Sequence, residues 1–318
     1  MEEVCKSVVD AIGSTPLVDL SRITSDLDGT ILLKLEYMNP GHSKKDRAAL
    51  RIIEEAEETG ALNPGRTVLE LTSGNMGAGL AIVCTLKGYP FVAVMSTGNS
   101  TERVRMMRAL GAEVILVEQC KESRPGEVSG DDLKLVDEEA ARLTLERGAF
   151  RADQFDHHGN RAAHYAGTAR EIWAQSNGSV TAFCDFAGSG GTFAGCTQYF
   201  KQQNADILCF IVEPDGAAAL RGELVTNPDH PIQGGGYSMP DLAQLDGIAP
   251  DGFLTVSAAD AVAGARRLAR EEGIFAGYST GANLAAAMGL LRCRLPGATI
   301  AIIACDSGLK YLSTDLWG

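Results

Sequence analysis

The chain has 318 residues and a net charge of −13, with 45% hydrophobic and 22% charged residues. That balance suits a globular protein with a large core, arranged as two domains or one two-lobed unit. The acidic excess without a basic tract argues against a nucleic-acid face and against docking on anionic membranes. Apolar runs such as 298–304 are too short to cross a bilayer, and the start Met1-Glu2-Glu3 lacks the pattern of a signal peptide, so a cytoplasmic location is expected.

Strand and helix patterns alternate along the chain. Thr30–Leu35 reads as a strand and Lys45–Thr59 as a helix. Thr67–Leu71 is a short strand, and Gly77–Lys87 a helix. Pro90–Met95, Thr101–Leu110 and Ala112–Val117 give strand, helix, strand. Asp131–Glu146 is a helix with Leu133, Val136, Ala140 and Leu143 on one face. Then come a helix at Arg161–Gln175, a strand at Thr181–Phe186, a helix at Thr192–Gln202 and a strand at Ile207–Val212. Ser257 is placed to cap a helix at Ala258–Glu271, a further helix covers Ala282–Leu291, and Ala298–Ala304 is the last strand. Lys121–Asp131 and Pro214–Leu245 read as loops, the second carrying Gly234-Gly235-Gly236 as a candidate flap. This alternation implies an α/β fold of mostly parallel sheets with helices on both faces and a site beyond the carboxyl ends of the strands.

The eight cysteines are at least twelve positions apart, which suits buried thiols in a reducing compartment. The five histidines show no metal-ligand spacing, and His157-His158 is given no metal role.

Three segments carry chemistry. Gly188-Ser189-Gly190-Gly191-Thr192 joins a strand to a helix and can aim backbone N–H groups and two hydroxyls at a phosphate. A ligand-free turn would look similar. A dinucleotide site needs an acidic residue about 20 positions on, and Glu213 is slightly far. Asn39-Pro40-Gly41-His42-Ser43-Lys44-Lys45-Asp46-Arg47 offers an amine that burial would activate, though a surface helix start would read alike. Thr72-Ser73-Gly74-Asn75-Met76-Gly77 offers donors for a carboxylate or a ring oxygen, or a polar cap for the next helix. Ser279 could face a pyridine nitrogen or cap the helix after it. Lysine, Asn loop and glycine loop are together what holding pyridoxal 5′-phosphate requires.

These segments make the chain resemble, over essentially its whole length, the cysteine synthase and cystathionine β-synthase family of fold-type II pyridoxal-phosphate enzymes. The match includes Ile12-Gly13-Ser14-Thr15-Pro16-Leu17-Val18, Ser43-Lys44-Lys45-Asp46-Arg47, the Asn75 loop, Gln154-Phe155, the 188–192 loop, and Asp306-Ser307-Gly308 with Tyr311-Leu312-Ser313-Thr314. The resemblance implies a tryptophan-synthase-β-like fold of two three-layer α/β/α lobes, 1–150 and 151–318, with the site between them. The part at about 40–150 would be mobile, and the first strands would pack with the C-terminal lobe. It implies Lys45 as Schiff-base lysine and base, with Asn75 on the cofactor's ring oxygen. Gly188, Ser189, Gly190, Gly191 and Thr192 would hold the phosphate, and Ser279 the ring nitrogen. Thr72, Ser73, Gly74, Met76 and Gln154 would line the substrate carboxylate pocket, and no metal is implied. The implied reaction is β-replacement on an O-activated serine, foremost cysteine synthesis from O-acetyl-L-serine and sulfide through an aminoacrylate. Alternatives are cystathionine β-synthase, an O-phosphoserine-dependent synthase, a cysteine desulfhydrase, a diaminopropionate synthase, or a non-catalytic regulatory binding protein. A homodimer is implied, and the sequence gives no sign of a serine acetyltransferase partner.

The departures sit on the substrate side. Met76 stands for a threonine and Leu71 for a proline; Gly235-Gly236-Tyr237-Ser238 and Asp156-His157-His158 also differ, so standard cofactor chemistry with an unusual substrate pair is the expectation they raise. Tyr237 is expected near the substrate mouth. Lys44, in a slot apolar in relatives, is expected to point to solvent.

Overall fold

The computed structural model describes residues 4–121, 123, 128–228 and 230–318. Among the described residues ten strands form two sheets. The first sheet has the order β1-β2-β10-β7-β8-β9, from Leu17–Asp19, Thr30–Lys34, Thr299–Ile303, Ala182–Phe186, Leu208–Pro214 and Gly252–Val256. All its pairings are parallel except β1 with β2. The second sheet, β5-β4-β3-β6, is wholly parallel and uses Glu113–Val117, Phe91–Ser96, Val68–Leu71 and Phe150–Arg151.

Each sheet is covered on both faces, which explains why its inner strands read as unbroken apolar runs. In the larger sheet, alternation sends Cys184, Ile300 and Ile302 toward helices α8 (Ala258–Arg267) and α9 (Tyr278–Cys293). Phe183, Ala301 and Ile303 face the opposite way, toward α6 (Arg170–Gln175) and α7 (Gly191–Gln203). In the smaller sheet Val68, Phe91 and Ala93 pack on α1 (Lys45–Glu58) and α2 (Asn75–Lys87). Leu69, Leu71, Val92 and Val94 pack on α4 (Gly130–Arg147), which Ser129 and Asp132 open with a reciprocal capping box. The remaining helices are α3 (Thr101–Ala109) and α5 (His158–Ala163).

The expected elements are present, with shifted ends. The helix read from Arg161 begins at His158 and runs through a π-helical turn at His164–Ala169 into α6. The helix read to Glu271 likewise leaves α-geometry at Leu268 for a π turn. α2 starts at Asn75, two residues early, because the Thr72 hydroxyl accepts from the N–H groups of Gly74 and Gly77 and closes the first turn. α9 starts at Tyr278 with Gly277 as its N-cap, so Ser279 lies inside the first turn and is not the cap. Ser257 caps α8 as expected. Glu213 is occupied by the backbone N–H groups of Leu220 and Arg221, and serves a turn. Part of the expected loop 121–131 lies outside the described residues. Among the described residues no helix is long and apolar enough to cross a membrane.

A buried ion network anchors α1. The Arg47 guanidinium reaches both oxygens of Glu36 at 2.7 and 2.8 Å and both of Glu171 at 2.6 and 2.7 Å. Glu171 also takes Lys34 at 2.7 Å. Burial alone would raise the Glu171 pKa, but Arg47 and then Lys34 outweigh it and hold that carboxyl down at about 2. A depressed carboxyl pKa contributes stability above the ordinary glutamate range and loses it as pH falls toward 2, so this network fails only in strong acid. Arg47→Met strands the Glu36 carboxylate and leaves Glu171 to Lys34 alone, and is expected to cost about 3–5 kcal/mol. Urea midpoints at neutral pH check this; a loss within experimental error would show that the network adds nothing.

Candidate active site

The strands of the two sheets deliver their carboxyl-end loops to one place. β3 ends at Leu71 and hands over to the Thr72–Gly74 turn, and Asn75 opens α2. Gly74 has φ of +116°, and a Cβ there would lie 2.5 Å from Arg103 Cδ, so only glycine fits between the turn and α3. β7 ends at Phe186 and hands over to residues 187–190, and Gly191 opens α7. α1 enters from a third side with Lys45 as its first residue.

Two adjoining cavities result, sharing Lys45, Asn75, Ser189 and Gly234. The first is lined by Gly188, Ser189, Gly190, Gly191, Thr192, Ser279, Lys44, Asp185 and Cys305. Thr72, Ser73, Met76, Gln154, Phe155, Arg103 and Tyr237 line the second. Every site residue read from the sequence is therefore gathered here except Gly74, which stands behind the lining and shapes the turn.

The Lys45 amine is buried, 3.1 Å from Ser189 Oγ. Burial first, and the neighbouring Lys44 charge second, push its pKa down to about 8. Ser189 is in turn fixed by Asn160, whose amide donates to it at 2.8 Å and to the Gln154 carbonyl at 2.6 Å. Thr192 meets His164 at 3.2 Å, and burial keeps that imidazole neutral by driving its pKa far down. Asn75 donates to Asp306 and accepts from Lys310, both at 2.7 Å, which leaves one amide hydrogen uncommitted. Tyr311 and Arg103 hold Asp306 from the other side, at 2.7 and 3.6 Å. Arg103 donates to the Ser73 carbonyl beneath the turn. The Tyr237 hydroxyl meets the Ser73 hydroxyl, and its ring packs edge-on against Phe155.

Lys44 does not point to solvent. It is 9% exposed and its amine lies 2.6 Å from Asp185 on β7. Burial opposes its charge, but the Asp185 carboxylate outweighs burial and holds the pKa above the ordinary lysine value. The solvent expectation failed because the partner lies 141 positions away. Asp185 was nevertheless a visible anomaly, a carboxylate inside the apolar strand Ala182–Phe186. Asn160, Arg103 and Lys310 carried no comparable signal.

A family described as pyridoxal-phosphate-dependent enzymes matches residues 8–306. The chain is 40% identical over 310 residues to cysteine synthase 3 of Caenorhabditis elegans, covering 97% of this chain and 88% of the relative. It is 37% identical to a hydrogen sulfide-producing enzyme of Fusobacterium nucleatum, with a TM-score of 0.88 over 98% of this chain and 99% of that one. An O-acetylserine-dependent cystathionine β-synthase of Helicobacter pylori is 30% identical, with a TM-score of 0.89 and full coverage of both chains. The chain belongs to the pyridoxal-phosphate-dependent enzymes and has their fold-type II architecture, with two α/β/α lobes. Within that family its relatives include cysteine synthases.

The cavity fits the cofactor. α7 has no side-chain cap, so its first N–H groups are available to a phosphate at the glycine turn. A Cβ on Gly191 would lie 2.4 Å from Asn160 Oδ1, which shows how tightly that turn is seated. Gly191→Ala should therefore weaken pyridoxal-phosphate binding by roughly 5- to 150-fold, corresponding to about 1–3 kcal/mol of overpacking. Fluorescence titration of the apoprotein checks this, and unchanged affinity would place the phosphate elsewhere.

Proposed function

We propose that this chain is a cysteine synthase that exchanges the acetate of O-acetyl-L-serine for sulfide. The observation that carries the reading is the buried amine of Lys45, which touches the Ser189 hydroxyl and, among the described cations lining the two cavities, is the one without a carboxylate partner, set between the Ser189 turn and the Asn75 loop. The phosphate would sit on Gly188, Ser189, Gly190, Gly191 and Thr192, the ring oxygen on the free hydrogen of Asn75, and the ring nitrogen on Ser279. Bound there, pyridoxal phosphate supplies an electrophilic aldehyde and a ring that draws electrons from the substrate Cα. Ser279 is a neutral partner for the ring nitrogen, which favours departure of a β-substituent over exchange of the amino group.

The chain's own groups then divide the work. The backbone N–H groups and hydroxyls of Thr72, Ser73 and Met76, with Gln154, orient the substrate carboxylate. Lys45, with its pKa brought down to about 8, takes the Cα proton and returns it at the end of the turnover. Tyr237 closes the substrate end against Ser73 and keeps water out.

The choice of leaving group has electrostatic support. Among the described residues, the other cations that line these cavities face carboxylates, Lys44 at Asp185 and Arg103 at Asp306. With Lys44 neutralised by Asp185, the positive charge left for a doubly charged phosphoryl group is that of Arg103, whose Nε and one Nη have no hydrogen-bond partner, whereas an acetyl ester needs none. The cysteine synthases among the relatives support sulfide as the nucleophile. We infer also a homodimer, as the family resemblance implies, located in the cytoplasm; sedimentation equilibrium tests the dimer.

Cysteine formation from O-acetyl-L-serine and sulfide is expected, with O-phospho-L-serine the poorer donor. Lys45→Ala should lower kcat/KM by roughly 10²–10⁴-fold or more. A preference for phosphoserine, or an active Lys45→Ala, would overturn the assignment.

A further inference from the structure

Two lysines adjacent in sequence border the same buried cofactor cavity. Each side chain is four carbons long, each ends in a primary amine, and both are 9% exposed. An aldehyde held in that cavity could be claimed by either, and productive chemistry needs one defined attachment. What differs between them is the partner. Lys45 touches a hydroxyl, Ser189 Oγ, which leaves its amine free to lose a proton. Lys44 touches a carboxylate at 2.6 Å.

That carboxylate is itself fixed. Asp185 stands in the buried strand β7 and is 1% exposed. Its Oδ1 accepts from Asn283 at 3.2 Å and from the Cys305 thiol at 3.6 Å, which leaves Oδ2 for Lys44. Neither Asp185 nor Lys44 has a part in the reaction as proposed. A buried ammonium paired in this way is not nucleophilic, because its lone pair is occupied by the proton that the carboxylate stabilises.

We propose that Asp185 is a positioning residue that decides which of the two lysines takes the cofactor, by locking Lys44 in an ion pair and leaving Lys45 as the only reactive amine. The proposal rests on the assignment of Lys45 as the cofactor lysine. Without the Asp185 charge the buried Lys44 ammonium has no counter-ion, and it sheds its proton to solvent. The neutral amine then places its lone pair on the aldehyde carbon, a C=N bond forms, and the aldehyde oxygen leaves as water. Asp185 thus makes a second lysine tolerable beside the first.

The test is covalent mapping, which does not depend on turnover. The protein is loaded with pyridoxal phosphate, the C=N bond is reduced by borohydride hydride, and the labelled peptide is located by mass spectrometry. Wild type should carry label on Lys45 alone. Lys45→Ala should take little label. Lys45→Ala/Asp185→Asn should regain label on Lys44, at least roughly tenfold above Lys45→Ala, because loss of the counter-ion neutralises the amine. Adding Lys44→Met to that pair should abolish it. Strong labelling of Lys44 in Lys45→Ala, or no labelling of a Lys45→Ala/Asp185→Asn protein with an unchanged circular dichroism spectrum, overturns the proposal. Should that double variant fail to fold, Asp185→Asn alone decides: label divided between both lysines upholds the proposal, and label confined to Lys45 overturns it. A wild type with no label on Lys45 would instead refute the cofactor assignment beneath it.

Discussion

The site depends on keeping two adjacent buried amines in different states. Burial penalises any ammonium, and two side by side penalise each other. The chain resolves the conflict with one carboxylate. Asp185 holds the Lys44 charge, and the Lys44 charge in turn helps drive the proton from Lys45. The result is one fixed cation and one amine poised near neutral pH, built from residues that a surface reading of Lys44-Lys45 would treat alike.

The fold serves this arrangement by bringing three chain segments together at the ends of two sheets. α1 carries the lysines and is pinned at Arg47 by carboxylates from either side of it in sequence, Glu36 and Glu171. The Asn75 loop belongs to the smaller sheet but is gripped by the C-terminal segment through Asp306 and Lys310. The glycine turn belongs to the larger sheet and touches the lysine through Ser189. Contacts across the two lobes therefore set the geometry, and a movement of either lobe would be felt at Asn75 and Ser73 first.

Much of this was legible in the sequence, for identifiable reasons. Buried strands such as Phe91–Ser96 declare themselves as unbroken apolar runs, and amphipathic helices such as α4 by periodicity. The motif loops declare themselves by composition, since glycine, asparagine and serine between apolar runs have few other uses. What escaped was mostly short or non-local, with the five-residue edge strand β9, Gly252–Val256, the exception. β1 has three residues and β6 has two, too few to show alternation, and they exist because a neighbouring strand pairs with them. The π turn at His164–Ala169 breaks the 3.6-residue pattern that reveals helices. The burial of Lys44 is invisible locally because solvent and a distant carboxylate are equally silent in the sequence around it. The more than two hundred positions between Asn75 and the pair Asp306 and Lys310 hid their network for the same reason.

The central claim is that Lys44 and Lys45 titrate far apart. Nitrogen-15 NMR of the lysine side-chain amines in labelled apoprotein, with Lys44→Met and Lys45→Met variants for assignment, measures this directly across neutral to alkaline pH. The account predicts that the Lys45 amine loses its proton near pH 8 while Lys44 stays protonated beyond the ordinary lysine range. Two amines titrating together at the ordinary lysine value, or Lys44 deprotonating first, would contradict it.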